Sequence, residues 1–465
     1  MYICEVREIG RGELKVTERV DVVVLGLGVG GEEVAGRLAE AGLEVVGIEG
    51  GLVGGECPYW GCIPSKMMIR AANLLTEARR IEGMCGHAEV APDWAPVAER
   101  IRQEATDDWN DQVAVDRFTG KGGRFVRGRG RLVGPGAVDV DGDRYEAGRA
   151  VVLATGTVPA IPPIAGLSDT PYWTNREAIE AKTLPDSLLV LGGGAVGLEL
   201  AQAYARFGVA VTVVEALDRL LPAEEPESSA LVQSALEADG IRVRIGTRAT
   251  AVAHDGDLFT VTAGGGLRAE RLLVAVGRRA DLGPPGVDSV GLEPGAPAVS
   301  VDERMRAGER LWAVGDLTGH GAFTHMAMYQ AGIAVRDILG QHGPPADYRA
   351  VPRVTFTDPE IGSVGLTEAQ ARDAGVRVAV GLSQVPSSAR GWIHKAGNDG
   401  IIKVVADTDR DLLVGATSAG PVGGEVLSAL AVAVHAEVTV SALRHMIYAY
   451  PTFHRGIEDA LRDLG

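Results

Sequence analysis

The chain has 465 residues, 46% hydrophobic and 23% charged, and its 62 acidic against 45 basic side chains give a formal net charge of −17. That length predicts two to four domains, each with its own core, and the acidic balance argues against DNA or RNA as a partner because nothing neutralises phosphates at long range. No run reaches the roughly 18 apolar residues of a membrane span, and the N-terminal MYICEVREIGRGELKVTERV lacks a basic-then-apolar signal, so a soluble α/β protein of the cytoplasm is expected.

In chain order, the apolar β-branched run VDVVVL, 20–25, enters GLGVGG before a helical stretch through Glu40 and a second strand, LEVVGIE, ending at Glu49. This predicts a βαβ unit with a dinucleotide-binding turn. Gly26 makes the tight turn, Gly28 lets backbone approach a pyrophosphate, and Gly31 lets helix and strand pack closely. Glu49 stands where a carboxylate accepts from ribose hydroxyls.

Four cysteines, at 4, 57, 62 and 85, are too few for the framework of a secreted domain. Cys57 and Cys62 lie together in GGECPYWGCIPSKMM; Cys4 and Cys85 are isolated and read as plain thiols. A zinc site needs four ligands and the close pair supplies two, so no metal site is expected. A permanent crosslink over so short a loop adds little stability. A reversible dithiol explains more: a helix expected just after Cys62, carrying KMMIRAANLLTEARR, would favour a thiolate at its N-terminus, and such a thiolate could donate to an adjacent flavin. The basic stretch RFVRGRGR, 124–131, reads as a solvated strand edge.

The βαβ pattern then repeats. The strand starting at Ser187 leads into GGGAVG, with Gly192, Gly194 and Gly197 in the three glycine positions, a helix through Phe207 and the strand VAVTVVE ending at Glu215. Two such units predict two dinucleotides, each with its phosphates at a helix N-terminus. Glu215 would repel a 2′-phosphate and so favours NADH over NADPH, a preference that nearby Arg206 and Arg219 are expected to moderate.

The stretch GGECPYWGCIPSK resembles the redox segment of the flavoprotein disulfide reductases, the class I pyridine nucleotide-disulfide oxidoreductases that include dihydrolipoamide dehydrogenase, mercuric reductase and soluble transhydrogenase. VVLATGTVPAIPP at 151–163, LLVAVGRRADL at 272–282, LWAVGDLTG at 311–319 and PRVTFTDPEIGSVGLTEAQAR at 352–372 resemble further family motifs in the family's order. The resemblance implies two Rossmann-like domains and a C-terminal α+β dimerisation domain. FAD binding would fall to 20–157 and 286–346, the nicotinamide to 158–285, and the interface of a homodimer to 347–465. It also implies that hydride from NADH reaches FAD and that electrons pass on to a Cys57–Cys62 disulfide, with Cys62 as the thiolate nearest the ring and Cys57 attacking the substrate. Lys66 and Glu199 match a family ion pair beside the ring, and Asp316 the acid that holds the ribityl chain. Gly55, Gly130, Thr155, Gly156 and the backbone around Thr324 and His325 match further FAD contacts, and Gly277 closes the nicotinamide segment.

The sequence departs from the family in YPTFHRGIEDAL, 450–461. There Tyr450 replaces the histidine, and Arg455 the glutamate, of an acid–base pair contributed by the partner subunit. A phenol near pKa 10 moves protons poorly at neutral pH, which puts reduction of a dithiol-type substrate in doubt. His454 would stand in from one turn away if the segment is helical; His435 and His445 read as packing or solvent-facing. The chain ends LRDLG without the cysteine pair of mercuric reductase, and keeps the thiol Cys62 that transhydrogenase lacks. The expected activity is NADH-dependent reduction of a disulfide or another soft electrophile, a small molecule. The alternative is a diaphorase, quinone reductase or transhydrogenase in which the flavin passes electrons directly.

Overall fold

The computed structural model describes residues 17–464, so Cys4 lies outside the described residues. The chain divides into two compact units. One holds the described residues up to Pro64 with Ile101–Ala160 and Arg278–Asp347; the other holds Ser65–Arg100, Ile161–Gly277 and the described residues from Tyr348 onward.

The first unit is built on a sheet whose strands lie in the order Arg306–Gly308, Leu311–Ala313, Asp143–Leu153, Thr17–Leu25, Val45–Glu49 and Arg124–Arg127. Thr17–Leu25 sits inside this order, parallel to both neighbours, with Val22, Val23 and Val24 fully buried. A β-branched run suits such a site because it fills both faces of a covered parallel sheet. The strand begins three residues before the expected Val20, as a register shift between Val20 and Val22 lets Thr17–Val20 continue along Asp143–Leu153. The helix Val29–Glu40 buries Val34, Ala35, Leu38 and Ala39 and returns the chain to the neighbouring parallel strand. The basic stretch contributes the edge strand Arg124–Arg127, where charge discourages pairing with another chain. Its arginines also serve the fold, since Arg124 bonds Glu18 at 2.6 Å and Arg127 grips Asp111 at 2.6 and 2.8 Å.

The second unit repeats the βαβ plan with strands Ser187–Leu191, Ala210–Val214, Arg242–Arg244 and Arg271–Val274, all parallel, and the helix Ala195–Arg206. A separate five-stranded antiparallel sheet from Pro352 to Gly420 carries the helix Gly423–His435 against its core, where Leu427 and Leu430 are buried. No helix among the described residues is long and apolar enough to cross a membrane.

Candidate active site

The two glycine-rich turns are built alike. A Cβ on Gly26 would lie 2.4 Å from the Ala154 carbonyl oxygen, and one on Gly192 would lie 2.3 Å from that of Ala275. Added at Gly31 or Gly197, it would meet the oxygen of the first glycine at 1.9 or 2.4 Å. Both pairs therefore hold helix against strand at a separation that any side chain would break. The acids match as well: Glu49 accepts from Leu27 N at 2.8 Å and Gly51 N at 2.6 Å, and Glu215 from Gly193 N at 2.6 Å and Leu217 N at 2.7 Å.

Gly28 and Gly194 are the N-caps of their helices and supply no side-chain cap, which leaves the first-turn N–H groups for an anion. Gly54 bridges to Gly28, and a Cβ on Gly55 would come within 2.9 Å of Gly28 Cα, so backbone packs directly against this turn. Around it lie Thr155 and Gly156, which follow the strand Asp143–Leu153, and Gly130, whose Cβ would meet Leu25 at 2.3 Å. Asp316 accepts a 3.0 Å hydrogen bond from the Thr157 hydroxyl. Burial lifts its carboxyl above the ordinary value, and that hydroxyl and Arg278 oppose the rise. This cradle fits FAD: a bare helix N-terminus for the pyrophosphate, an acid for the ribose, and a sheltered carboxylate for a polyol.

The cysteines belong to the same unit. Cys57 lies in the short helical turn Glu56–Tyr59, and Cys62 opens the helix Cys62–Arg79. Both are reduced thiols. The Cys57 thiol is pushed well up, first by its hydrogen bond with the Cys62 side chain and then by burial, while Thr324 pulls it down. Thr324 Oγ1 stands 3.6 Å from Cys62 Sγ at the start of the helix Thr324–Ile338, and the next residue, His325, stacks on Phe323.

In the second unit Lys66 Nζ donates to Glu199 Oε2 at 2.8 Å, and Glu199 Oε1 accepts from Phe356 N at 2.8 Å. The Lys66 ammonium lies 4.6 Å from the centre of the Phe356 ring. Gly277 is exposed, with φ +121°. Neither expected arginine is available to a 2′-phosphate. Arg219 is spent on the carbonyls of Leu221, Pro222 and Glu224 and on Ser229 Oγ, while Arg206 is buried among Asp239, Asp358 and Asn73. Tyr450 is 68% exposed, and the Arg455 guanidinium lies 5.5 Å from its ring centre. The helix here starts only at Gly456, so His454 does not stand one helical turn from Tyr450; its ring rests 6.1 Å from that of Tyr448.

Two residues to which the sequence assigned no role, Arg278 and Asp111, complete the site. Arg278 donates to Thr157 Oγ1 at 2.9 Å and Thr157 O at 2.7 Å and faces Glu56 at 3.7 Å. Asp111 takes Val53 N–H at 2.7 Å and so fixes the backbone entering the cysteine segment.

Two dinucleotide folds and a dithiol at a helix N-terminus define a pyridine nucleotide-linked flavoprotein. Residues 20–331 match the family model of pyridine nucleotide-disulphide oxidoreductases, and 351–461 that family's dimerisation domain. The chain is 35% identical to a dihydrolipoyl dehydrogenase of Thermus scotoductus, over 96% of this chain and 97% of the relative. It is 34% identical to a mercuric reductase of Shigella flexneri, over 94% of this chain and 79% of the relative. Among solved structures, LpdA from Mycobacterium tuberculosis superposes with TM-score 0.84 at 27% identity, over 96% of this chain and all of that one. The flavoprotein disulfide reductase RclA from Escherichia coli gives 0.84 at 25% over 96% and 99%. The chain belongs to the class I pyridine nucleotide-disulfide oxidoreductases, enzymes that bind FAD and a pyridine nucleotide.

Proposed function

We propose that this protein is a homodimeric, NADH-dependent FAD enzyme whose Cys57–Cys62 pair cycles between disulfide and dithiol while reducing a small-molecule disulfide or another soft electrophile. The observation that carries this reading is the pair itself: two reduced thiols in hydrogen-bond contact, one of them at the first residue of an 18-residue helix. FAD held in this cradle would supply two-electron redox chemistry between reduced nicotinamide and the sulfur pair. Gly26, Gly28, Gly31, Glu49, Gly55, Gly130, Thr155, Gly156, Asp316, Thr324 and His325 would hold it; Gly192, Gly194, Gly197, Glu215 and Gly277 would hold NADH. Once reduced, Cys57 attacks the acceptor disulfide, forms a mixed disulfide and releases the first half as a thiol that takes the Cys57 proton; the Cys62 thiolate then attacks Cys57 Sγ and displaces the second half, which takes a proton from solvent, and the Cys57–Cys62 disulfide is restored. The Lys66–Glu199 ion pair belongs to the same machinery in this reading.

Glu215 and the two engaged arginines support NADH. Replacing Glu215 with alanine is expected to lower kcat/KM for NADH about tenfold, with a smaller change for NADPH; initial rates with both nucleotides measure the ratio. Dimerisation is proposed from the C-terminal domain, with Tyr450 and His454 reaching the partner's cysteines.

A second reading has a specific basis. Exposed Tyr450 lies beside Arg455, where the family places a histidine and a glutamate, and the loss of that pair suits direct transfer to a quinone or a second nicotinamide. Anaerobic titration with NADH, followed by turnover with oxidised low-molecular thiols, lipoamide, quinones and mercuric ion, separates the two. The proposal expects two newly titratable thiols per chain and fast turnover of a thiol-reactive acceptor. Quinone turnover alone, with no thiols gained, would replace it.

A further inference from the structure

The sulfur pair touches a side chain that the cofactor motifs do not account for. Thr324, singled out in the sequence for its backbone, places its hydroxyl oxygen 3.6 Å from Cys62 Sγ, and that hydroxyl also acts on Cys57. Thr324 is the first residue of a 15-residue helix whose N-cap, Phe323, offers no side-chain oxygen, and Cys62 is the first residue of its own 18-residue helix. Two helix N-termini thus meet at one sulfur, each with partial positive charge. A hydroxyl has a single proton to donate, so it serves one sulfur at a time.

We infer that the Thr324 hydroxyl is the donor that holds the negative charge on Cys62 in the reduced pair, and so decides which sulfur is the thiolate and which the attacking thiol. This rests on the redox-pair reading and assigns a residue within it. Cys57, the titratable group in direct contact, bonds to Cys62, and its own proton is retained more firmly as a result. Other charged or titratable side chains stand on the adjoining elements. The Glu56 carboxylate faces Arg278 at 3.7 Å, His325 stacks on Phe323 at 5.2 Å, and Lys66, one turn along the cysteine helix, is bound to Glu199. A neutral hydroxyl therefore does what an imidazolium or ammonium does at other reactive thiols: it lowers the cost of ionisation at one chosen sulfur.

Thr324→Val removes the hydroxyl and keeps the shape; Thr324→Ser keeps the hydroxyl. In NADH-reduced holoenzyme under anaerobic conditions, the pH at which long-wavelength absorption is half developed reports the Cys62 thiolate. Iodoacetamide alkylation at Cys62, followed by mass spectrometry across pH, reports it independently. The valine variant is expected to raise both midpoints by about one pH unit, and the serine variant to restore them. If the valine variant loses FAD, alkylation of phosphine-reduced protein without FAD, wild-type against variant, reads the same shift. Wild-type midpoints in the valine variant would overturn the inference alone. Wild-type enzyme that gains no thiols on NADH reduction would overturn the redox-pair reading, and the inference with it.

Discussion

Replacing Cys62 with serine is expected to cut turnover of thiol-reactive acceptors by more than about a thousandfold, with little change in stability. The sulfur is exposed and opens a helix, a position where serine is accommodated well, so the substitution should shift the unfolding midpoint by no more than about 0.5 kcal/mol. Its chemical consequence is larger because an oxygen cannot form or resolve the bond with Cys57. Cys57 alone still attacks a disulfide acceptor, but the mixed disulfide then has no neighbour to displace it. The variant should therefore stop after one turnover with half of the acceptor attached at Cys57, a mass increment visible in the intact protein. Cys57→Ser should behave differently: it keeps Cys62, the sulfur proposed to carry the thiolate, hence long-wavelength absorption without added NADH, yet forms no adduct. If both variants turn over quinone and thiol-reactive acceptors at wild-type rates, the sulfurs are accessory and direct electron transfer is the correct reading.

What the sequence disclosed and what it withheld divide along a physical line. Gly26, Gly31 and Glu49 were legible because each answers a constraint within one βαβ unit: a turn with φ +91°, a helix that must touch the first glycine's carbonyl, an acid at a strand end. The repeat at Gly192, Gly197 and Glu215 was legible for the same reason. Thr157 and Asp316 are 159 positions apart, and Glu199 and Phe356 157, and no local periodicity encodes such pairings. The reading of Arg206 and Arg219 as moderators of nucleotide choice failed because nearness in sequence says nothing about where a guanidinium is already spent. The segment after Ile101–Ala105, a stretch of wide π-helix, was also hidden. Asp107, Asp108 and Trp109 follow it with φ of 47°, 55° and 57°. Aspartate tolerates that region and tryptophan rarely does, so DDW gives no sequence signal of three left-handed residues in a row.

Arg206 is where a large effect on stability is expected with none on nucleotide preference. Its side chain is 2% exposed, and its three nitrogens donate to Asp239 at 2.9 Å, Asn73 at 2.6 Å and Asp358 at 2.8 Å. Gln202 bonds the same Asp239 carboxylate and the backbone on both sides of Asp358, and Arg80 takes the same Asp358 oxygen at 2.9 Å. Arg206→Met keeps most of the apolar stem but leaves Asp239 with only a neutral amide and Asp358 with one cation instead of two. Removing one partner from a buried ionic cluster costs about 3–5 kcal/mol, and because Arg80 remains on Asp358 the lower half of that range is expected. Lysine should recover only part of it, since a single ammonium cannot reach three acceptors placed for a planar fork. Adding Asp239→Asn to Arg206→Met should return some of the loss by removing the stranded charge, which a double-mutant cycle of urea midpoints measures. The ratio of NADH to NADPH turnover in the folded variant should stay at the wild-type value. A changed ratio would mean that Arg206 acts on the nucleotide after all, and that the cluster around Asp358 is not where its charge is spent.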